Sequence, residues 1–226
     1  MTMPARLRHH GLGLFFGVLF LAALVGQALT GHADYNNQQV VDALPQISLG
    51  RYVTSSSFAV DVAENWQSEY LQFTLYIFGT VWLLQRGSPE SKPLGRAGLE
   101  SDEDQKVGEH ADARSPRWAR AAGLRTALYG NSLLIVMTTI WLGSWLAQSI
   151  AGASGYNANQ LDHQAATVSW LHYLGSSDFW DRTLQNWQSE FLAVGSMAIL
   201  SVYLRQRGSP ESKPVGAPHD ATGVEG

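Results

Sequence analysis

Four apolar stretches alternate with polar segments along the chain. They cover about residues 11–30, 67–85, 127–150 and 189–206. The first carries no charge over 20 residues, and no charged residue occurs between Thr126 and Leu161. Because about 20 apolar residues span the hydrocarbon core as a helix, the pattern predicts an all-α membrane protein with four transmembrane helices and helical outer loops.

The second and fourth stretches belong to a segment that occurs twice. Residues 65–95 and 186–216 are identical at 18 of 31 positions, at an offset of 121 residues and without a gap. The identical positions cluster at the two ends, and the middle stays apolar. This predicts two tandem two-helix repeats, residues 1–95 and 118–216, followed by a tail at 217–226. The offset makes the first stretch the counterpart of an internal one, so we expect a retained helix instead of a cleaved leader.

Polar residues flank the second helix of each repeat. Residues 55–57 offer N-cap chemistry for a helix starting near Phe58, and residues 176–178 do the same before Phe179. An amphipathic lead-in continuous with the membrane helix is predicted, with an ordinary loop as the alternative. At the other end, Gly87 follows the apolar stretch and predicts the helix terminus there.

The distribution of basic residues predicts the orientation. Arg51 and Arg182 are the only Lys or Arg residues in the loops at 31–64 and 152–186. The other 13 of the 15 lie elsewhere in the chain. By the positive-inside rule both termini and the linker between the repeats (residues 96–117) are predicted to be cytoplasmic. The two repeats then have the same, parallel orientation. The linker at 96–117 is charged and poor in hydrophobic residues, which predicts disorder.

Composition removes several classes of site. The chain has no cysteine, which excludes disulfides, iron–sulfur clusters and thiolate metal sites. Its seven histidines show no repeated metal-ligand spacing, and no nucleophile motif is present, so we expect no cofactor, no metal and no catalytic residue. A net charge of −4 gives no reason to expect nucleic acid as a partner.

The repeated sequence Asn-Trp-Gln-Ser-Glu supplies the first candidate site. Box 1 is residues 65–69 and box 2 is residues 186–190. Only 16 and 14 uncharged residues separate each glutamate from the next arginine, which is about 24 and 21 Å of helix and less than the ~30 Å core. Each glutamate should therefore face protein or a wet cavity below the headgroups. The candidate binding or structural residues are Asn65, Trp66, Gln67, Glu69, Asn186, Trp187, Gln188 and Glu190.

Two interpretations of these boxes stay open. In the first, the polar side chains brace the two repeats against each other and the tryptophans anchor at the membrane interface. In the second, the boxes bind a ligand or an ion. A polar helix face continues from Glu69 through Gln72 and Tyr76, but its counterpart in the second repeat is Ala193 and Met197. No continuous polar path is therefore repeated.

The repeated sequence Arg-Gly-Ser-Pro-Glu-Ser-Lys-Pro supplies the second candidate site. Motif 1 is residues 86–93 and motif 2 is residues 207–214. Helix termination does not require eight identical residues, so the motifs either fold back on the cytoplasmic helix ends or dock a partner. The candidate docking residues are Arg86, Ser88, Glu90, Lys92, Arg207, Ser209, Glu211 and Lys213.

The two boxes, the two motifs and the segment Gly-Gln-x-Leu-x-Gly-x-x-x-Tyr-Asn at 26–36 resemble an uncharacterised family of bacterial integral membrane proteins, catalogued as a domain of unknown function. The resemblance covers roughly residues 11–95 and 124–216. It implies a bacterial envelope protein and carries no activity or catalytic residue.

The expected function is that of a non-enzymatic accessory subunit of the bacterial cytoplasmic (inner) membrane. It would bind membrane lipid, or another membrane protein or complex. The alternative is a small-solute or ion transporter that uses Glu69 and Glu190, and a lipid-modifying enzyme is the third choice. Repeated carboxylates favour transport over catalysis, whereas the missing polar path favours the accessory role.

Overall fold

The computed structural model describes residues 9–225, and within that range every regular element is helical. Residues 1–8, which include the basic residues Arg6 and Arg8 before the first apolar stretch, lie outside the described residues. A short 3₁₀ helix spans Gly108–His110. The α-helices are α1 (Gly11–Val41), α2 (Leu49–Val53), α3 (Ser56–Trp82), α4 (Leu124–Gly130), α5 (Ser132–Asp162), α6 (Trp170–Tyr173) and α7 (Ser177–Tyr203).

Helix bounds recur along the chain at the offset found in the sequence. Shifting α1 by 121 residues gives the bounds of α5, and shifting α3 gives those of α7. Ala43 and Gln164, which are also 121 residues apart, both adopt φ of 57° just after the long helices. The same local sequence signals thus produce the same local structure twice.

The predicted N-caps are confirmed. The backbone N–H of Phe58 donates to the Ser55 hydroxyl at 3.3 Å, and that of Phe179 donates to the Ser176 hydroxyl at 3.2 Å. These bonds satisfy donors that the first helical turn leaves unpaired. Both α3 and α7 then run without interruption from the cap into the apolar stretch, as the continuous lead-in predicted.

The far ends of α3 and α7 differ from the sequence prediction. Helix α3 ends at Trp82, short of the predicted terminus at Gly87. The Gln85 N–H donates to the Ser91 hydroxyl at 3.0 Å, and the Gln206 N–H donates to the Ser212 hydroxyl at 2.9 Å. The hydroxyls of Ser91 and Ser212 therefore accept backbone N–H groups that would bond within a longer helix. Each motif folds back toward the end of its helix.

A second difference lies in the third apolar stretch, which forms two helices separated at Asn131. The Asn131 amide donates to the Ala127 carbonyl at 2.8 Å, and the Ser132 hydroxyl donates to the Tyr129 carbonyl at 2.7 Å. Such side-chain bonds compete with the helical ladder. Helix α5 then extends to Asp162, well past the apolar residues.

The chain divides into two compact units. The first comprises the chain up to Val62 together with Ile150–Val168. Within it, Asn36 exchanges two hydrogen bonds of 2.9 Å with the backbone of Ile47, and Asn157 exchanges bonds of 2.8 and 2.9 Å with Val168. These bonds tie the end of each long helix to the loop that follows it.

The second unit comprises Ala63–Ser149 and the described residues from Ser169 onward. It holds both boxes, both motifs and the linker. Residues 96–117 form turns and the short 3₁₀ helix. The Gly98 N–H donates to the Val81 carbonyl at 2.7 Å. Disorder of the linker stays a prediction.

Two of the described helices, α1 and α5, are long and apolar enough to cross a membrane by length and composition. This gives weak support for membrane association.

Candidate functional site

The two Asn-Trp-Gln-Ser-Glu boxes meet in the second unit. The Trp187 indole N–H donates to the Gln67 side-chain oxygen at 2.8 Å, and the Ser68 hydroxyl donates to the Glu190 carboxylate at 3.3 Å. Gln67 and Ser68 are 0% and 1% exposed. Gln67 and Ser68 of box 1 therefore contact Trp187 and Glu190 of box 2.

This contact is not reciprocal. Glu69 and Gln188 are exposed, and Glu190 is half-buried. The Asn186 amide donates to the Arg182 carbonyl of its own helix at 2.8 Å. Of the predicted residues, Gln67, Trp187 and Glu190 thus come together in one contact. Asn65 and Trp66 are exposed on α3.

Two buried polar residues that the sequence did not single out extend this contact. Gln148 and Thr183 are both 0% exposed, and the Gln148 amide donates to the Thr183 hydroxyl at 3.3 Å. Thr183 and Trp187 are four residues apart on α7 and so share one face. The Gln67 amide nitrogen and the Gln148 side-chain oxygen have no partner among the described residues. The signal in the sequence is Gln148 itself, whose side-chain amide lies in a stretch without charged residues.

Aromatic rings pack beside these polar groups. Trp145 lies 6.1 Å from Phe179, 6.2 Å from Trp180 and 5.6 Å from Trp187, measured between ring centroids. Trp141 stacks on Trp145 at 6.0 Å. Ring pairs at these spacings add stability beyond the area they bury. A cavity of about 300 Å³ borders the cluster and is lined by Trp145, Phe179 and Trp180.

An ionic network lies at the N-terminal part of α7. The Arg182 guanidinium contacts the Glu64 carboxylate at 3.1 Å and the Asp178 carboxylate at 3.6 Å. The Tyr173 hydroxyl, on a fully buried ring, donates to Asp178 at 2.8 Å. Burial, with this hydrogen bond and the charge of Asp178, raises the pKa of Tyr173 well above its usual range. Arg182, the lone basic residue of its predicted outer loop, is thus a structural partner for two acids.

The lysines of the two motifs hold the segments that follow them. Lys213 is 1% exposed, and its ammonium group donates to the carbonyls of Pro218, His219 and Ala221 at 3.2, 2.8 and 3.2 Å. Burial is the largest cause that lowers the pKa of Lys213. Lys92 makes the matching bond to the Gly98 carbonyl at 2.9 Å and pairs with Glu100 at 3.2 Å.

Motif 1 also binds the tail segment, which we define as residues 217–225. The Gly87 N–H donates to the Thr222 hydroxyl at 2.8 Å, and the Gly223 N–H donates to the Ser88 carbonyl at 3.0 Å. Arg86 lies 3.9 Å from Asp220. Arg86 and Ser88, for which a docking role is predicted, therefore contact the tail segment of the same chain.

The glutamates of the two motifs lie next to each other. A hydrogen bond between the Glu90 and Glu211 carboxyl groups is the main cause that raises the pKa of Glu211, followed by the charge of Glu90. The Tyr76 hydroxyl donates to Glu90. These residues border a cavity of about 340 Å³. Two charged carboxylates repel each other, so protonation of Glu211 favours this pairing of the motifs.

Among the described residues, no group of three or more histidines, aspartates or glutamates is placed to hold a metal ion.

A family model described as "Domain of unknown function (DUF6766)" matches residues 3–224, nearly the whole chain. The chain belongs to this family. No curated protein and no solved structure matches it. Membership agrees with the resemblance to a family of unknown function, and the bacterial origin stays an expectation. Because the family carries no assigned activity, membership alone gives this chain no function.

Proposed function

We propose that this chain is a non-enzymatic integral membrane protein that crosses the membrane four times and serves as an accessory subunit binding membrane lipid or a membrane partner. The recurrence of helix bounds at one offset supports two tandem repeats with equivalent helices. Helices α1 and α5 are the first long helices of the two repeats. If both cross the membrane, α3 and α7 are the helices that cross back.

One groove carries the proposal of lipid binding. In the second unit a cleft of about 380 Å³ runs between α3 and α7, within the predicted second and fourth spans. Leu75, Leu83, Phe191 and Val194 line it, together with Gly79 and Gly195. Its polar lining is limited to Gln72, Tyr76, Thr80 and Gln85, so the described walls hold no carboxylate, imidazole or amine. Such a cleft fits an acyl chain better than a reacting group.

The placement of the glutamates favours the accessory role over the transporter. Glu190 accepts a hydrogen bond from the Ser68 hydroxyl of the other box at 3.3 Å, which is the arrangement of a brace.

Filling the groove should displace the lipid. No atom lies within 4 Å of a Cβ added at Gly195, so Gly195→Leu is tolerated by its neighbours and places its side chain in the cleft. Excluding two methylenes of an acyl chain costs ~1.6 kcal/mol, or roughly a tenfold loss of affinity. Native mass spectrometry of protein released from nanodiscs measures the retained phospholipid.

The matched control is Gly143→Leu, at a helical glycine with equally open space that does not line the groove. We expect Gly143→Leu to retain lipid as the wild type does. Equal retention by both variants would rule out the groove as the lipid site, and no retained lipid in the wild type would leave a protein partner as its occupant.

The number of crossings is tested by phosphatase fusions that are active only outside the cytoplasm. Four crossings with a cytoplasmic N-terminus predict activity after residues 45 and 165 and none after residue 105. If only α1 and α5 crossed, residue 105 would lie outside and residue 165 inside. The fusions at 105 and 165 therefore exchange their results between the two topologies.

A further inference from the structure

The two Arg-Gly-Ser-Pro-Glu-Ser-Lys-Pro motifs form the same backbone turn. Gly87 and Gly208 have φ of +85° and +79°. In motif 1 the Ser88 N–H donates to the Gln85 carbonyl at 3.1 Å, and in motif 2 the Ser209 N–H donates to the Gln206 carbonyl at 3.2 Å. Each motif therefore presents the N–H of its glycine and the carbonyl of its first serine in the same local arrangement.

In motif 1 these groups are covered. The segment Asp220–Gly223 supplies the Thr222 hydroxyl to the Gly87 N–H and its own Gly223 N–H to the Ser88 carbonyl, at 2.8 and 3.0 Å. Gly87 and Ser88 are buried. A Cβ added at Gly87 would collide with the His219 carbonyl oxygen, so the close approach of the segment requires glycine.

In motif 2 the same groups are open. Arg207 and Gly208 are exposed, and a Cβ added at Gly208 would meet no atom within 4 Å. Within residues 9–225 nothing hydrogen-bonds to the Gly208 N–H. The Ser209 carbonyl accepts one bond from the Ser212 N–H at 3.2 Å and retains a second lone pair.

The linker segment that corresponds to Asp220–Gly223 does not cover motif 2. At the offset of 121 this segment is residues 99–102, and its Ser101 hydroxyl instead accepts the Asp104 N–H at 3.1 Å. Glu100 pairs with Lys92. One chain thus has two equivalent docking turns and one segment that fits them.

We propose that Arg207, Gly208 and Ser209 form a docking site for the Asp220–Gly223 segment of a second copy of this chain. The bound segment places Asp220 beside Arg207, the Thr222 hydroxyl on the Gly208 N–H and the Gly223 N–H on the Ser209 carbonyl, as it does in motif 1. Two chains that exchange these segments cover motif 2 of each other and release motif 1 of their own chain, which closes a two-fold dimer. The inference goes beyond the proposed function and does not depend on the number of membrane crossings.

A labelled peptide of residues 217–226, titrated into the full-length protein in detergent, tests the site by fluorescence anisotropy. We expect one saturable site per chain. Gly208→Ala should abolish binding, because its methyl group occupies the position that the His219 carbonyl of the peptide needs. Arg207→Glu should weaken binding about fivefold, and a peptide carrying Asp220→Lys should recover the loss. A single cooperative thermal transition in each variant shows that it is folded, and Gly208→Ala should unfold at a slightly lower temperature because alanine is disfavoured at a φ of +79°.

A second arm tests the occupant. The chain has no cysteine, so Ser209→Cys in one full-length chain and Thr222→Cys in another are unique thiols. A short thiol cross-linker should join the two chains. Absence of saturable peptide binding, or binding that survives both Gly208→Ala and Arg207→Glu, would overturn the site. Peptide binding without a cross-linked dimer would overturn the second copy as its occupant.

Discussion

Replacing Lys213 with methionine should release the tail segment and lower the free energy of unfolding by about 3 kcal/mol. The Lys213 ammonium is buried against three backbone carbonyls, and hydrogen bonds to a charged group stabilise by about 1.5–3 kcal/mol each. The net loss is smaller than their sum because the freed carbonyls regain water. Methionine keeps the length of the side chain and removes the donors. Thermal unfolding in detergent measures the loss.

Lys92→Met is the matched control, since Lys92 holds one carbonyl and its side chain is 25% exposed. We expect a loss of about 1 kcal/mol there. Hydrogen exchange separates the two variants further. The Gly87 amide, which is protected by Thr222, should exchange rapidly in Lys213→Met and stay protected in Lys92→Met. Equal effects of the two substitutions would show that the tail segment is not held by Lys213.

Replacing Arg182 with glutamine should lower the free energy of unfolding by about 2 kcal/mol. Removing one partner of a buried ion pair leaves the other charge uncompensated, at a cost of about 3–5 kcal/mol. The Glu64 side chain is 12% exposed, but that of Arg182 is 36% exposed, so solvent screening reduces the expected cost. Asp178 loses the same partner.

The double variant Glu64→Gln/Arg182→Gln should recover most of this loss, because it removes both charges. Arg51→Gln, in the other predicted outer loop, is the control: Arg51 is exposed and forms no ion pair with the described residues. A double-mutant cycle in detergent measures the coupling between Glu64 and Arg182. A coupling near zero would mean that the pair contributes nothing to stability.

The sequence predicted the helices well where the signals are local. The caps at Ser55 and Ser176 depend on neighbouring residues alone, and both formed as expected. Helix ends were less predictable. Hydropathy indicates where a helix meets lipid, not where it stops, so the extensions of α1 to Val41 and α5 to Asp162 were not visible. The break at Asn131 depends on side-chain bonds that compete with a helix of otherwise suitable composition.

The candidate site was predictable only in part because its contacts are tertiary. The repeat singled out Gln67, Trp187 and Glu190, but identical boxes gave no means to tell which copy would be buried. Ser68 is buried and its counterpart Ser189 is exposed, since the two copies meet different neighbours. Burial of Lys213 was equally hidden, because a lysine in a polar segment is expected in solvent unless partners are known.

The covering of motif 1 by the tail segment also sets an order on protein synthesis. Thr222 lies 135 residues after Gly87, so the ribosome needs roughly 7–27 s to make the residues between them. During that interval the nascent chain carries the Gly87 turn without its cover. A chain whose translation stops before Asp220 has no tail segment of its own to cover that turn. When the chain's own tail segment covers motif 1, the whole second repeat has therefore been translated.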